Sequence, residues 1–584
     1  MRVRRRPLGR AAVGGGAGAP GRHRAGHGRA RSRSAAPGAL DLRLARRPCR
    51  PGPLGVDFIR RQRRAAHCSE RLAPHRERSM ASLLLGGSVW FRPRWTIPVV
   101  TIGLLVLGIA SARADGNLDR VKHVIIVMQE NHSFDNYFGA LAYAPGGPYH
   151  AGPCKDNDHA CVDGLSCTRD GAGNLRCFNT NQDDDGSTVA AFHEPNYCVK
   201  PDLNHEWPGS HMEANYANPR NTLAASPNDG FVRVNDATEQ PDVLGETATE
   251  DETMGFYTQE DLPFYYALAE TFAINDRYFS PVLGPTFPNR AYALAATSFG
   301  HLNTFEEFPP PGGYKPITGT ILDLLDQGGV FWVNYFADAP STFSFRAFLS
   351  EHLRPINQFF ADAAAGQLPP VSFVDPAFGF GGVEFDEHPP SNVRAGQFFV
   401  SNVVQAVRNS PNWKDSIVFI TYDEHGGAYD HVRPPRARQG SARTPDGIFP
   451  GQCADATGPL PGAGANCTVS QLDALSLCPG FTPTGPYPAD CPAFDQYGFR
   501  VPFIAVSPFA KSQYVSHTVG DHTSMLALIE KRFLRNGADE RPHLTARDLH
   551  ASTLEDMFDF HGAPSLNALV PTAPPPSATD PGCP

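Results

Sequence analysis

The sequence predicts an α/β protein, a three-layer sandwich with a mainly parallel central sheet. Three observations predict it. Apolar, strand-like runs recur at 121–128, 330–335, 371–374, 417–422 and 501–506, and the first and fourth read as strands covered on both faces. Helical patterns lie between them at 262–271, 289–296, 320–326, 395–408 and 523–533, and strands that alternate with helices build parallel sheets. The runs also end in polar clusters, at the sheet edge where open α/β sheets gather ligands.

Taken from the N-terminus, residues 1–80 carry 21 Arg, no Lys and four acids. They show no periodicity, so 1–79 read as a disordered leader or as sequence upstream of the true start. Met80 opens a better beginning. Arg92 and Arg94 precede an apolar run at 97–110, and Ala112-Arg113-Ala114 fits the small-x-small cleavage rule. The run is short for a membrane span. Residues 80–114 are therefore expected to be a secretory signal peptide and Asp115 the first mature residue, of a protein secreted or held in the periplasm or at the cell surface. No adjacent Arg pair stands just before the apolar run, and Arg4-Arg5-Arg6 lies too far upstream, which favours the general secretory route over the twin-arginine one.

From Asp115 onward, 27 basic residues face 56 acidic ones. That balance disfavours nucleic acid and anionic membrane surfaces as partners. Ten cysteines follow the leader: Cys154, Cys161, Cys167, Cys177, Cys198, Cys453, Cys467, Cys478, Cys491 and Cys583. With no C-x-x-C pair among them, disulfides of an oxidising compartment are expected before zinc, with connectivity open.

Residues 115–570 are expected to form one catalytic domain with two disulfide-pinned excursions, 143–200 and 434–495, and a low-complexity, disordered tail at 571–584. Asn181-Gln182-Asp183-Asp184-Asp185-Gly186 begins like a calcium-binding loop, but Phe192 stands at the twelfth position, so an acidic turn is expected there.

The chemistry is expected at the strand ends. The run 121–128 delivers Glu130 and Asn131, and the run 417–422 delivers Asp423 and Glu424. With Thr286 they make an all-oxygen set, suited to a divalent ion such as Ca²⁺, Mg²⁺ or Mn²⁺ more than Zn²⁺. Thr286 opens a helical stretch, read as its N-cap, and a helix start is a ready anion site. His205 and His388 are candidates to contact phosphate oxygens or protonate a leaving alkoxide. His425, His431, His517 and His522 rank behind them as supporting residues.

The segments 130–139, 284–290 and 421–431 resemble the bacterial phosphoesterase family, which holds phosphatidylcholine-type phospholipases C and an acid phosphatase within the alkaline-phosphatase superfamily. The resemblance runs in order along residues 119–560, and His132 stands where the family usually has Arg. It implies an alkaline-phosphatase-like sandwich, a Thr286 nucleophile that forms a phosphoenzyme, and metal ligands Glu130, Asn131, Thr286, Asp423 and Glu424. It places His205 and His388 beside the phosphate and implies a phosphate-ester or phospholipid substrate, with transient contact at a membrane surface. The phospholipase C branch is favoured, and Phe256, Tyr257, Phe264, Tyr265 and Tyr266 are read first as core residues and second as flanks for an apolar substrate. An acid-phosphatase-type phosphomonoesterase is the first alternative. A secreted, non-catalytic binding protein on the same fold is the second.

Overall fold

The computed structural model describes residues 118–583 except 184, 200–201, 220, 224–226, 236–251, 300, 305–313, 315, 317, 346–350, 438–493 and 536–540. The Arg-rich stretch 1–79, the expected signal peptide 80–114, most of the second excursion and its cysteines Cys453, Cys467, Cys478 and Cys491 lie outside the described residues.

Eight strands form the central sheet: β1 His123–Gln129, β2 Ala273–Asn275, β3 Trp332–Phe336, β4 Leu353–Pro355, β5 Val371–Asp375, β6 Ser416–Tyr422, β7 Phe503–Val506 and β8 Tyr514–Ser516. Their order across the sheet is β4-β3-β5-β1-β6-β7-β2-β8. All pairings are parallel except those of β7, which runs against both β6 and β2. The five runs read from the sequence are thus β1, β3, β5, β6 and β7, and three short strands join them.

The central strands are covered on both faces, as their composition requires. Every residue of β6 is buried, and so is every residue of β1 after His123. The helices fall into two groups by mutual packing. Helices α1 Phe134–Phe138 and α2 Trp207–Ala214 lie in loops near the strand ends. One layer holds α3 Pro263–Thr271, α6 Ile356–Ala365 and α7 Val393–Arg408, and the other α4 Thr286–Ala295, α5 Ile321–Gln327 and α8 His522–Ile529. On α7, Val393, Val400, Val403, Val404 and Val407 are buried, the stripe an amphipathic helix turns to its sheet.

The first excursion is a set of short two-stranded sheets pinned by Cys154–Cys161 and Cys167–Cys177. Its acidic segment turns a hairpin between Thr180–Gln182 and Thr188–Ala190, with Gly186 donating to Asp183 O. The tail corrects an expectation. Residues 571–583 are held rather than disordered: Gln405 Nε2 donates to Pro571 O, Ala573 N donates to Ser401 Oγ, and Cys583 is bonded to Cys198. Proline-rich composition read as disorder because these contacts are distant in sequence. Among the described residues, no helix is long and apolar enough to cross a membrane.

One fully buried cation ties the sheet to the excursion. Arg500, just before β7, reaches Asp135 Oδ1 at 2.9 Å and Asp430 Oδ1 at 3.0 Å, and it donates to the carbonyls of Asp163 and Asp276. It also lies 4.5 Å from the centre of the Phe134 ring. Removing one partner of a buried ion pair strands the other. Arg500→Met should therefore lower unfolding stability by about 3–5 kcal/mol, read as a lower urea midpoint.

Candidate functional site

Strands β1 and β6 pair in step from His123↔Ser416 to Gln129↔Tyr422. The residues that follow, Glu130-Asn131 and Asp423-Glu424, consequently emerge side by side. The backbone continues the alignment, Asp423 N donating to Gln129 O at 3.1 Å and Glu130 N to Asp386 O at 2.8 Å. After the acids, Gly426 and Gly427 have φ of +62° and +70°. A Cβ on Gly426 would stand 2.3 Å from Asn131 O, so only glycine lets the two strand ends close together.

Arg290 brings a guanidinium into this acid cluster. Arg290 Nη2 is 2.8 Å from Glu130 Oε1, and its Nε is 3.1 Å from Asp423 Oδ2. Charge is still in excess. Burial, reinforced by Glu130 and Glu424, holds the Asp423 carboxyl well above its usual range despite Arg290. Burial also opposes ionisation of Glu424, but His205 and His425 outweigh it and lower its pKa. Three polar atoms in the cluster are buried without a hydrogen-bond partner: Asn131 Oδ1, Asn131 Nδ2 and Glu424 Oε1. Oxygens left this way in a buried acid cluster fit a hard divalent cation, which would satisfy them and offset the charge.

Thr286 is the first residue of α4, with Pro285 as N-cap, one position inside the cap expected from the sequence. Asn289 fixes the turn that presents it, donating to Gly284 O at 2.7 Å and Pro285 O at 3.0 Å and accepting from Val282 N. Arg290 lies four residues beyond Thr286, on the same helix face. Glu130, His205, Thr286, Arg290, Asp386 and His388 all open on one cleft of about 800 Å³, whose walls include Phe287, Leu294, Phe343, Phe345 and Phe378. Asn131, Asp423 and Glu424 are buried and do not line it.

The two candidate histidines meet in this cleft, their ring centres 5.7 Å apart. His205 Nδ1 is 2.8 Å from Leu203 O, and its Nε2 is 3.8 Å from Glu424 Oε1. His388 Nδ1 is 2.7 Å from Pro389 O. Burial opposes a charge on His388, but Asp202 and Glu130 outweigh it and lift its pKa to about 9. His205 is raised in the same way, burial being outweighed by Glu424 and Asp202. Both are thereby disposed to carry a proton.

The other histidines hold neighbouring parts. His425 bridges Glu213 and Glu424, His431 pairs with Asp135 and Asp163, His517 with Asp276, and His522 Nε2 is 2.8 Å from Asp423 O. His132 sits buried between Asn136 Oδ1 and Glu387 O and stacks on Tyr137. Phe256, Tyr257, Phe264, Tyr265 and Tyr266 are all buried in the core, the first of their two readings, and do not flank the cleft. Core and cleft wall demand the same residue types, so composition could not separate them.

Two residues with evident parts in the site escaped the sequence reading. Arg290 was visible only as the end of a motif, although its spacing from Thr286 was a usable signal. Glu387 adjoins His388 and is fully buried, and it accepts from the hydroxyls of Tyr137, Tyr265 and Tyr422 and from Gln129 Nε2. No local signal marks it, because its partners lie on four separate segments.

Fold and site together define a hydrolase of phosphoric esters. The chain belongs to the Phosphoesterase family, which matches residues 121–534. It is 30% identical to phospholipase C B of Mycobacterium tuberculosis over 77% of this chain and 80% of that protein. It is 28% identical to non-specific phospholipase C6 of Arabidopsis thaliana, covering 79% and 77% of the two chains. Among solved structures, murine ectonucleotide pyrophosphatase/phosphodiesterase 5 aligns with 51% of this chain and 95% of its own, at 10% identity and a TM-score of 0.27.

Burial pushes the Glu387 carboxyl up to about 7 from 4.5, against the hydrogen bonds of the three tyrosines and Gln129. The folded protein then holds this proton more tightly than the unfolded chain. Its contribution is full below the unfolded value and is lost as pH rises through the folded one. Stability of the protein should fall relative to Glu387→Gln between about pH 4.5 and 7, by on the order of 3 kcal/mol. Urea unfolding of both proteins across that range measures the difference.

Proposed function

We propose that the protein is a secreted, metal-dependent phospholipase C with Thr286 as nucleophile. The observation that carries this reading is the division within one cleft. Its floor gathers Glu130, Thr286, Arg290, His205 and His388, while five phenylalanines and two leucines stand among the residues that line the rest. A polar floor receives a phosphoester, and apolar walls receive the hydrocarbon of an amphiphile. The relatives named as phospholipases C support the same substrate class.

A divalent ion held by Glu130, Asn131, Asp423, Glu424 and Thr286 would supply Lewis-acid chemistry, lowering the pKa of the Thr286 hydroxyl and offsetting phosphoryl charge. Thr286 Oγ gives up its proton to solvent and attacks phosphorus, the bond to the glycerol oxygen breaks, and the head group stays on Thr286 as a phosphodiester until water releases it and Thr286 regains its proton. His388 or His205, each disposed to be protonated, gives a proton to the departing alkoxide. The same histidine then takes a proton from the water that releases the phosphorylated head group. Arg290 keeps Glu130 and Asp423 in place throughout, and the helix start at Thr286 favours the anion.

Purified protein should release phosphocholine from phosphatidylcholine, and a chelator should abolish this until metal is restored. Thr286→Ala should lose turnover by at least about a thousandfold while its melting temperature stays that of the parent. Cleavage of para-nitrophenyl phosphate alone would assign the site to phosphomonoesters. No turnover on either substrate would leave a binding role. Export is tested separately: N-terminal sequencing of exported protein should begin at Asp115, and any other residue revises the signal-peptide reading.

A further inference from the structure

Beside the cleft mouth, residues 376–385 form a loop with the sequence Pro-Ala-Phe-Gly-Phe-Gly-Gly-Val-Glu-Phe. Phe380 is 80% exposed and Val383 53%. Single exposed apolar residues are ordinary, but these two share one loop, and Phe380 also forms part of the cleft wall.

The loop is built to hold them out. The Asp338 carboxylate accepts the backbone N–H of both Phe378 and Phe380 at 3.0 Å. Phe378 pairs with Glu384, Gly382 N donates to Gly379 O, and Phe385 N donates to Ala377 O. Gly379 and Gly382 turn the tip at φ of +83° and +75°. The base is anchored at the site itself. Gln129 Nε2 donates to Phe385 O at 2.8 Å, and the Arg290 guanidinium lies 5.2 Å from the centre of the Phe378 ring. An apolar tip is therefore fixed next to the opening through which a lipid ester would enter.

We propose that residues 376–385 are an interfacial anchor: Phe380 and Val383 enter the surface of a zwitterionic phospholipid aggregate and seat the cleft on the lipid. This rests on the reading of the cleft as a phospholipid site. Charge selects the kind of surface. The loop carries Glu384 and no Lys or Arg, Asp338 lies beneath it, and the chain from Asp115 is strongly acidic. An anionic surface would repel such a face, whereas a zwitterionic one admits it on apolar contact alone.

The test uses the whole protein with phosphatidylcholine vesicles. Phe380→Trp should add a blue-shifted emission component when vesicles are present. Val383→Asp should weaken co-sedimentation with the vesicles by about tenfold or more and slow vesicle hydrolysis in step. Its turnover of a short-chain phosphatidylcholine dispersed as monomers should equal the parent's, and Val383→Leu should bind as the parent does. Unchanged vesicle binding by Val383→Asp and Phe380→Asp overturns the anchor, and so does an equal loss on monomeric substrate. Tighter binding to phosphatidylserine vesicles overturns the charge argument. If the parent cleaves no phospholipid but binds vesicles through Phe380 and Val383, the cleft reading fails and the anchor stands. If it cleaves phospholipid and the variants match it on vesicles, the reverse holds.

Discussion

Two neighbouring parallel strands ending in acids set the constraint that the rest of this site answers. The register of β1 on β6 forces Glu130, Asp423 and Glu424 into one buried region. Like charges held there repel far more strongly than they would in water. Arg290 offsets part of that repulsion by bridging Glu130 and Asp423. Because Arg290 and Thr286 share a face of α4, the charge that steadies the acids also fixes where the helix start lies. The segment from Gly284 to Arg290 is best understood as one device, with Asn289 clamping the turn between its two working ends.

The motifs extend past the acids for a second reason. The first runs on from Glu130 to Asp135, and the other from Asp423 to Asp430 and His431. Asp135 and Asp430 converge on Arg500, and His431 closes on Asp135. Each motif therefore has one half in the acid cluster and one half that locks its strand end to the body of the protein. Burial opposes ionisation of Asp430, lifting its carboxyl to about 6 even with Arg500 beside it. Such a lock is tolerated because every polar group in it has a partner.

What the sequence disclosed follows from what is local. Largely apolar runs of four or more residues announced β1, β3, β5, β6 and β7, while the three-residue strands β2, β4 and β8 are too short to show a period. Glu130, Asn131, Asp423 and Glu424 were legible because a strand end is a local feature, and Thr286 because a helix start is one. Glu387 was not legible, since a buried carboxylate under three tyrosines is defined by Tyr137, Tyr265 and Tyr422, far apart along the chain. The aromatics at 256–266 show a different limit, a strong local signal compatible with two environments, of which the core is the one they occupy. The same holds for the tail, whose composition says nothing of Cys198.

The split between floor and walls also divides the energetics of turnover. On the proposed reading, hydrocarbon against Phe287, Phe343 and Phe345 would be buried equally before and during the reaction, so the walls would act as uniform binding and govern KM. The floor would meet charge that changes: the Thr286 hydroxyl would become an alkoxide, and the leaving oxygen would gather a proton from His388 or His205. Only groups that respond to those changes lower the barrier. Substrates that share the phosphoester but differ in hydrocarbon are thus distinguished by the walls without any change in the chemistry of the floor. On that reading, one geometry of acids, Thr286 and Arg290 would serve esters of different size, with the rim deciding which of them arrive.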